Sequence, residues 1–164
     1  MDEQRKLVKH FLAALAYRTQ KALRGAPPEF AAFRVAPLVR TPHELIRHMD
    51  GVMGFARTFF IGGSYRVPYF PDFSAAVTHF HETLEDLARH LEVGTELHEM
   101  TLERILQGPC SDAMSHAGQL AMLRRLAGSP VPPEDFSLAD IRSSNLGPDQ
   151  PLPVSPDENW PERP

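Results

Sequence analysis

Residues 41–63 read TPHELIRHMDGVMGFARTFFIGG, and their two ends carry the signals that start and stop a helix. Thr41 stands three residues before Glu44, the spacing of a capping box. Pro42 fills the first helical position, where a missing N–H costs nothing. Leu45, Met49, Val52, Phe55, Ala56 and Phe59 then recur at steps of mostly three and four, and Gly62-Gly63 closes the segment. The spacing predicts an amphipathic helix of about twenty residues.

The same reading extends in both directions. A helix over Glu3–Leu23 is predicted from Leu7, Phe11, Ala14, Leu15 and Ala22, with Gly25, Pro27 and Pro28 ending it. A third helix spans residues 72–93, with Phe73, Ala76, Val77, Phe80, Leu84, Leu87 and Leu91 on its buried side and Gly94 as its stop. A shorter one covers residues 95–106 and stops at Gly108-Pro109. The last runs over residues 111–127, before Gly128 and Pro130. No stretch alternates at period two for long enough to make a strand. The expected fold is all-α: a four-helix bundle over residues 1–131 with one short extra helix. The link from Gly62 to Pro71 is long for a bundle and, extended at about 3.3 Å per residue, can span a helix length. That permits the second and third helices to run parallel, with one long crossover.

Nine of the sixteen prolines lie at or after Pro130, so residues 132–164 cannot continue the bundle as a long helix. From Glu134 onward seven acids face two arginines, a net of −5, which leaves +1 for the rest of a chain whose formal charge is −4. This acidic, proline-rich extension is expected either to pack on the bundle as a strap or to be partly disordered. No clustered basic stripe suggests nucleic acid as a partner. No apolar run reaches the ~18 residues of a membrane span. One cysteine, Cys110, fits a reducing compartment, and the charged start does not read as a signal peptide, so a cytoplasmic protein is expected.

Polar residues on the apolar stripes carry the functional information. Asp112, His116, Leu120 and Leu123 follow steps of four, four and three on one face of the last helix. A buried carboxylate is normally paired, hydrogen-bonded or metal-bound. His48 lies at the edge of the second helix's apolar face. Spacing leaves two readings open. In one, Asp112 and His116 are a structural pair and His48 a boundary residue. In the other, His48, Asp112 and His116 form an open three-ligand site for Zn²⁺, Ni²⁺, Fe²⁺ or Mn²⁺. Gln119, three past His116, either packs or orients that ligand. Cys110 reads as a small buried residue, and His43, His90 and His98 as residues of solvated surfaces. His10 is a candidate second sphere for the site. Tyr65, Tyr69, Phe70 and Trp160 are either pocket walls or anchors for the segments that carry them.

The segments TPHELIRHMDGVMGFAR (41–57) and SDAMSHAGQLAMLRRLAGSPV (111–131) resemble the second and last helices of the DinB/YfiT-like metal-binding bundles. The resemblance covers most of residues 1–131 and aligns His48 and His116 with two of that family's three usual histidines. Asp112 stands where the third is expected, replacing an imidazole by a charged oxygen donor. The resemblance implies a metal-dependent enzyme acting on a small molecule, either a transferase using a low-molecular-weight thiol or a metal-assisted hydrolase. The alternative is a non-catalytic metal-binding or stress-associated bundle acting through dimerisation, and a homodimer is expected.

Overall fold

A computed structural model describes residues 1–161. Four long helices form the bundle: α1 (Glu3–Leu23), α2 (Pro42–Ile61), α3 (Phe73–Val93) and α5 (Ser111–Leu126). The short helix α4 (Leu102–Ile105) leads into α5, and a 3₁₀ turn, Pro28–Ala32, follows α1. There is no strand among the described residues; one isolated antiparallel bridge pairs Glu134 with Pro156. No helix among them is long and apolar enough to cross a membrane.

Side-chain partners give the helix directions. Asp50 meets His79 and Thr83, Arg57 meets Asp86, and Phe60 stacks on His90, so α2 and α3 run parallel. Lys9 pairs with Glu92 and Gln20 with His81, so α1 is antiparallel to α3. Gln4 bonds Glu103 while Arg124 caps the carbonyls of Ala22 and Arg24, so α1 and α5 run parallel. The order is up, down, down, up, and the single long crossover of residues 62–72 is the price of the parallel α2–α3 pair. The crossover runs back along α2: Tyr65 lies against Gly54, Val67 against Gly51, and Phe73 reaches His43. Gly54 admits the Tyr65 ring because a Cβ there would stand 2.1 Å from it.

The capping box forms as the sequence predicts: Glu44 N–H donates to Thr41 Oγ1 at 3.2 Å, and Thr41 N–H donates to the Glu44 carboxylate at 2.7 Å. The buried face of α3 is also as expected. Three expectations need correction. Residues 95–101 are not helical. The short helix does not stop at Gly108-Pro109 either. Instead α4 passes into α5 through a π-helical turn, Leu106–Cys110. Pro109 has no N–H to donate, and a widened turn accommodates it; Ser111 Oγ donates to the Leu106 carbonyl at 2.7 Å. The buried stripes of α1 and α2 are each turned by about one residue. Leu15, Ala22, Leu45, Met49 and Ala56 are buried as expected, but Val8 and Leu12 are buried while Leu7 is exposed, and Ile46, Met53 and Phe60 are buried while Phe55 is exposed. Both helices carry apolar side chains around much of their circumference, so periodicity alone does not select the inward face.

The extension after residue 131 is a strap on the α1 and α3 side of the bundle. Tyr17 Oη donates to Glu134 at 2.6 Å, Arg18 lies 3.7 Å over the Phe136 ring, and Arg24 donates to the Gln150 carbonyl. Leu146 and Trp160 are buried, which makes Trp160 an anchor rather than a pocket wall. His81, buried in α3, joins the strap through Nδ1–H, which donates to the Leu146 carbonyl at 2.6 Å. Its Nε2 lone pair faces the Gln20 amide at 2.9 Å. Burial pulls the His81 pKa down to about 4. The folded value lies below the unfolded ~6.5, so folding releases a proton. The resulting stability is fully present above pH 6.5 and is lost as pH falls towards 4. Denaturant unfolding across that window should show a loss of about 3 kcal/mol from this group. In His81→Gln the decline should be visibly shallower; an unchanged slope would remove His81 as its source.

Candidate metal centre

His48 projects from the middle of α2, and Asp112 and His116 from the first turns of α5. The antiparallel arrangement of α2 and α5 brings them to one point. His48 Nε2 lies 3.4 Å from Asp112 Oδ2, and His116 Nε2 lies 3.3 Å from Asp112 Oδ1. The imidazoles meet edge to face with centroids 4.7 Å apart. One ligand atom from each residue falls within 4.8 Å of the others. Two donors bound at about 2.1 Å with a tetrahedral angle are separated by about 3.4 Å, close to each of these nitrogen–oxygen distances, although the two histidines face different oxygens of the carboxylate.

Proton placement adds to the fit. His116 Nδ1–H donates to Gln119 Oε1 at 2.9 Å, which leaves the Nε2 lone pair facing the carboxylate. The two atoms face each other across 3.3 Å. A ligating histidine whose second ring nitrogen is held by a side-chain acceptor is a common arrangement at metal sites. Gln119 is thus in hydrogen-bond contact with the His116 ring. Burial, then Arg40 and His116, hold the His48 pKa below its ordinary value, favouring the neutral imidazole a metal requires.

Asp112 is not in the core: its side chain is 48% exposed, whereas that of His116 is 10% exposed. Asp112 lies in the first turn of α5, where the bundle wall opens into a cleft. Burial therefore does not require Asp112 to have a partner; what marks the site is the approach of three potential ligand atoms. An exposed carboxylate also leaves open directions around the site.

The cleft has a volume of about 1330 Å³. Its floor is the outward face of α2, from Glu44 through His48, Val52 and Phe55. The loop of residues 34–40, the crossover at Arg66 and Val67, and the π turn at Gly108 and Pro109 form its walls. The π turn thus both admits Pro109 and sets the approach to Asp112.

Other candidates fall elsewhere. His10 contacts Ser143 on the strap side and is not near the site. Cys110 is buried, its thiol pushed up to about 12 by burial, and it is unsuited to act as a thiolate. His90 is not solvated as expected but stacks on Phe60. His43 is half-buried against Phe73. Tyr69 is exposed, and Phe70 packs on His79.

Asp50 was not singled out by sequence and proves central to positioning. Buried on α2, it accepts from Thr83 Oγ1 at 2.6 Å, His79 Nδ1 at 3.0 Å and Tyr65 Oη at 3.1 Å. It ties α2, α3 and the crossover together two residues from His48. Burial, with a further push from Asp50's charge, raises the Tyr65 pKa to about 12, so its hydroxyl remains a donor. The step Ile46–Asp50–Gly54, four and four, was the available signal.

Compared with protein-family models, characterised proteins and solved structures, the chain has no match.

Proposed function

We propose that this chain is a metal-dependent enzyme of the DinB-like kind, with a divalent transition metal held by His48, Asp112 and His116 at the wall of the α2–α5 cleft. What supports the reading is the convergence of three ligand atoms within 4.8 Å beside an open cavity. Gln119 fixes the proton of His116 on Nδ1 so that Nε2 is available. Asp112 supplies an anionic oxygen that offsets part of the ion's charge. Val52 and Phe55 give the adjoining floor an apolar surface on which a substrate body displaces water. When bound, a divalent ion supplies Lewis acidity that lowers the pKa of an adjacent thiol or water. The reaction classes this serves are thiol transfer and hydrolysis of a small molecule.

The test separates an open, reactive centre from a closed one. Cobalt(II)-loaded protein titrated with glutathione should develop a near-ultraviolet charge-transfer band as the thiol coordinates, and His116→Ala should not. Cobalt binding with a spectrum indifferent to glutathione and to pH would point instead to a non-catalytic metal-binding bundle.

A further inference from the structure

Arginine side chains in this molecule are mostly engaged. Arg5, Arg24, Arg57, Arg89, Arg124 and Arg142 each donate to a carboxylate or a carbonyl. The cleft beside the candidate metal centre is different. Four arginines line it: Arg34, Arg40, Arg47 and Arg66. Arg34 is tied to Glu44, the carboxylate of the capping box. Among the described residues, the guanidinium groups of Arg40, Arg47 and Arg66 have no hydrogen-bond or ion-pair partner. The one other acid in the lining, Asp112, faces His48 and His116.

The three come from separate pieces of chain. Arg40 closes the loop before α2, Arg47 is on α2 itself, and Arg66 is on the crossover that Tyr65 fastens to Asp50. Each is exposed, so none is retained for packing. Unpaired charges of one sign on several walls of a concavity reinforce each other's field and draw in the opposite charge. The guanidinium fork is the side-chain group best suited to a planar carboxylate or to phosphate oxygens.

The same cleft carries an apolar strip. Phe55 is 54% exposed and Val52 lies beside it on the floor. Leu38, also in the lining, is fully exposed at a left-handed φ of 65°, a conformation that costs a leucine energy. Exposed apolar side chains with unpaired cations in the same lining fit a molecule that has both an apolar body and an anionic group.

We infer that the cleft binds an organic anion, a carboxylate or phosphate ester with an apolar body, through Arg40, Arg47 and Arg66. This rests on the reading of the cleft as the substrate side of the metal centre, and it assigns that substrate its charge. A divalent ion beside Asp112 adds positive charge and strengthens the preference.

The probe is phenyl phosphate, with benzyl alcohol as its neutral counterpart, measured by titration calorimetry on chelator-treated protein. Phenyl phosphate should bind once per chain, more weakly as salt rises, and benzyl alcohol should not bind measurably. Arg47→Gln with Arg66→Gln should weaken phenyl phosphate by about tenfold or more while leaving thermal unfolding in place, since neither side chain supports the fold. Inorganic phosphate should bind more weakly than phenyl phosphate, and Phe55→Ser should bring the two together. Equal affinity in the double variant and the parent overturns the assignment, as does binding that appears only after Zn²⁺ is added and ignores the arginines. If Zn²⁺ stabilises the protein but phenyl phosphate does not bind, the anion assignment fails and the metal centre stands. If phenyl phosphate binds through the arginines but no metal binds, the metal centre fails and the anion site stands.

Discussion

Asp50→Ala should destabilise the protein by about 3–5 kcal/mol, the largest loss expected from one substitution. The carboxylate accepts hydrogen bonds from Thr83, His79 and Tyr65 in a buried position. A hydrogen bond to a charged group contributes about 1.5–3 kcal/mol, and donors left buried without an acceptor add a desolvation penalty. The terms are not additive, because Thr83 Oγ1 keeps its bond to the His79 carbonyl at 3.1 Å and His79 can turn towards solvent. Against a total stability of about 5–15 kcal/mol, the loss is severe. Asp50→Asn should lose less, since its carbonyl oxygen still accepts. Urea unfolding of the three proteins measures this; a change under 1 kcal/mol for Asp50→Ala would show that the crossover is held by other contacts.

Gly54→Ala should also destabilise, by about 2 kcal/mol, although alanine is the better helix former. Glycine inside a helix ordinarily costs about 0.5–1 kcal/mol relative to alanine. At Gly54 a Cβ would stand 2.1 Å from the Tyr65 ring, so the ring must move and its bond to Asp50 is lost with it. Overpacking of this kind costs about 1–3 kcal/mol, and the lost hydrogen bond adds to it. Gly118, mid-way along α5 and on its exposed side, has nothing within 4 Å of a Cβ. Gly118→Ala should therefore stabilise by about 0.5–1 kcal/mol. Opposite signs for one chemical change are the expected outcome in thermal or urea unfolding. Stabilisation by both would mean that Tyr65 does not pack against α2.

Both substitutions act on the segment that positions the cleft wall. Tyr65 adjoins Arg66, and Val67 packs at Gly51 one turn from His48. Loosening the crossover should therefore weaken anion binding before it unfolds the bundle.

The helices were legible because their punctuation is strong. Thr41-Pro42 with Glu44, Gly62-Gly63, Gly94 and Gly128 are local signals that tertiary contacts have no reason to override. The buried face of α3 was legible because polar residues occupy its other side. α2 was harder: Val52, Phe55 and Phe59 are as apolar as Met53 and Phe60, yet Phe55 is exposed and lines the cleft while Val52 and Phe59 are only partly buried. The continuity of α4 with α5 was hidden because Gly108-Pro109 is a strong stop signal that the π turn absorbs.

At the candidate site, His48 was legible as a polar residue at the edge of an apolar face and His116 as the i, i+4 companion of Asp112, while the burial expected of Asp112 does not hold. Its i, i+4 relation to His116 placed it correctly, while its burial depended on where the bundle wall ends, which no local pattern encodes. The arginines of the cleft come from three separate segments and share no sequence pattern; only the fold of the crossover against α2 assembles them.

We propose above that His48, Asp112 and His116 bind one divalent metal ion. The most direct measurement of this is thermal unfolding of chelator-treated protein titrated in turn with Zn²⁺, Ni²⁺, Mn²⁺ and Fe²⁺, beside His48→Ala. A ligand that binds only the folded state adds about 2.7 kcal/mol at a hundredfold excess over its Kd. His48 is the discriminating position, because it lies on α2 and the Asp112–His116 pair can persist without it. A saturable rise in the unfolding temperature is expected with at least one of the four metals, largely abolished in His48→Ala while that variant remains folded. No rise with any of them, or a rise that His48→Ala leaves intact, would contradict it.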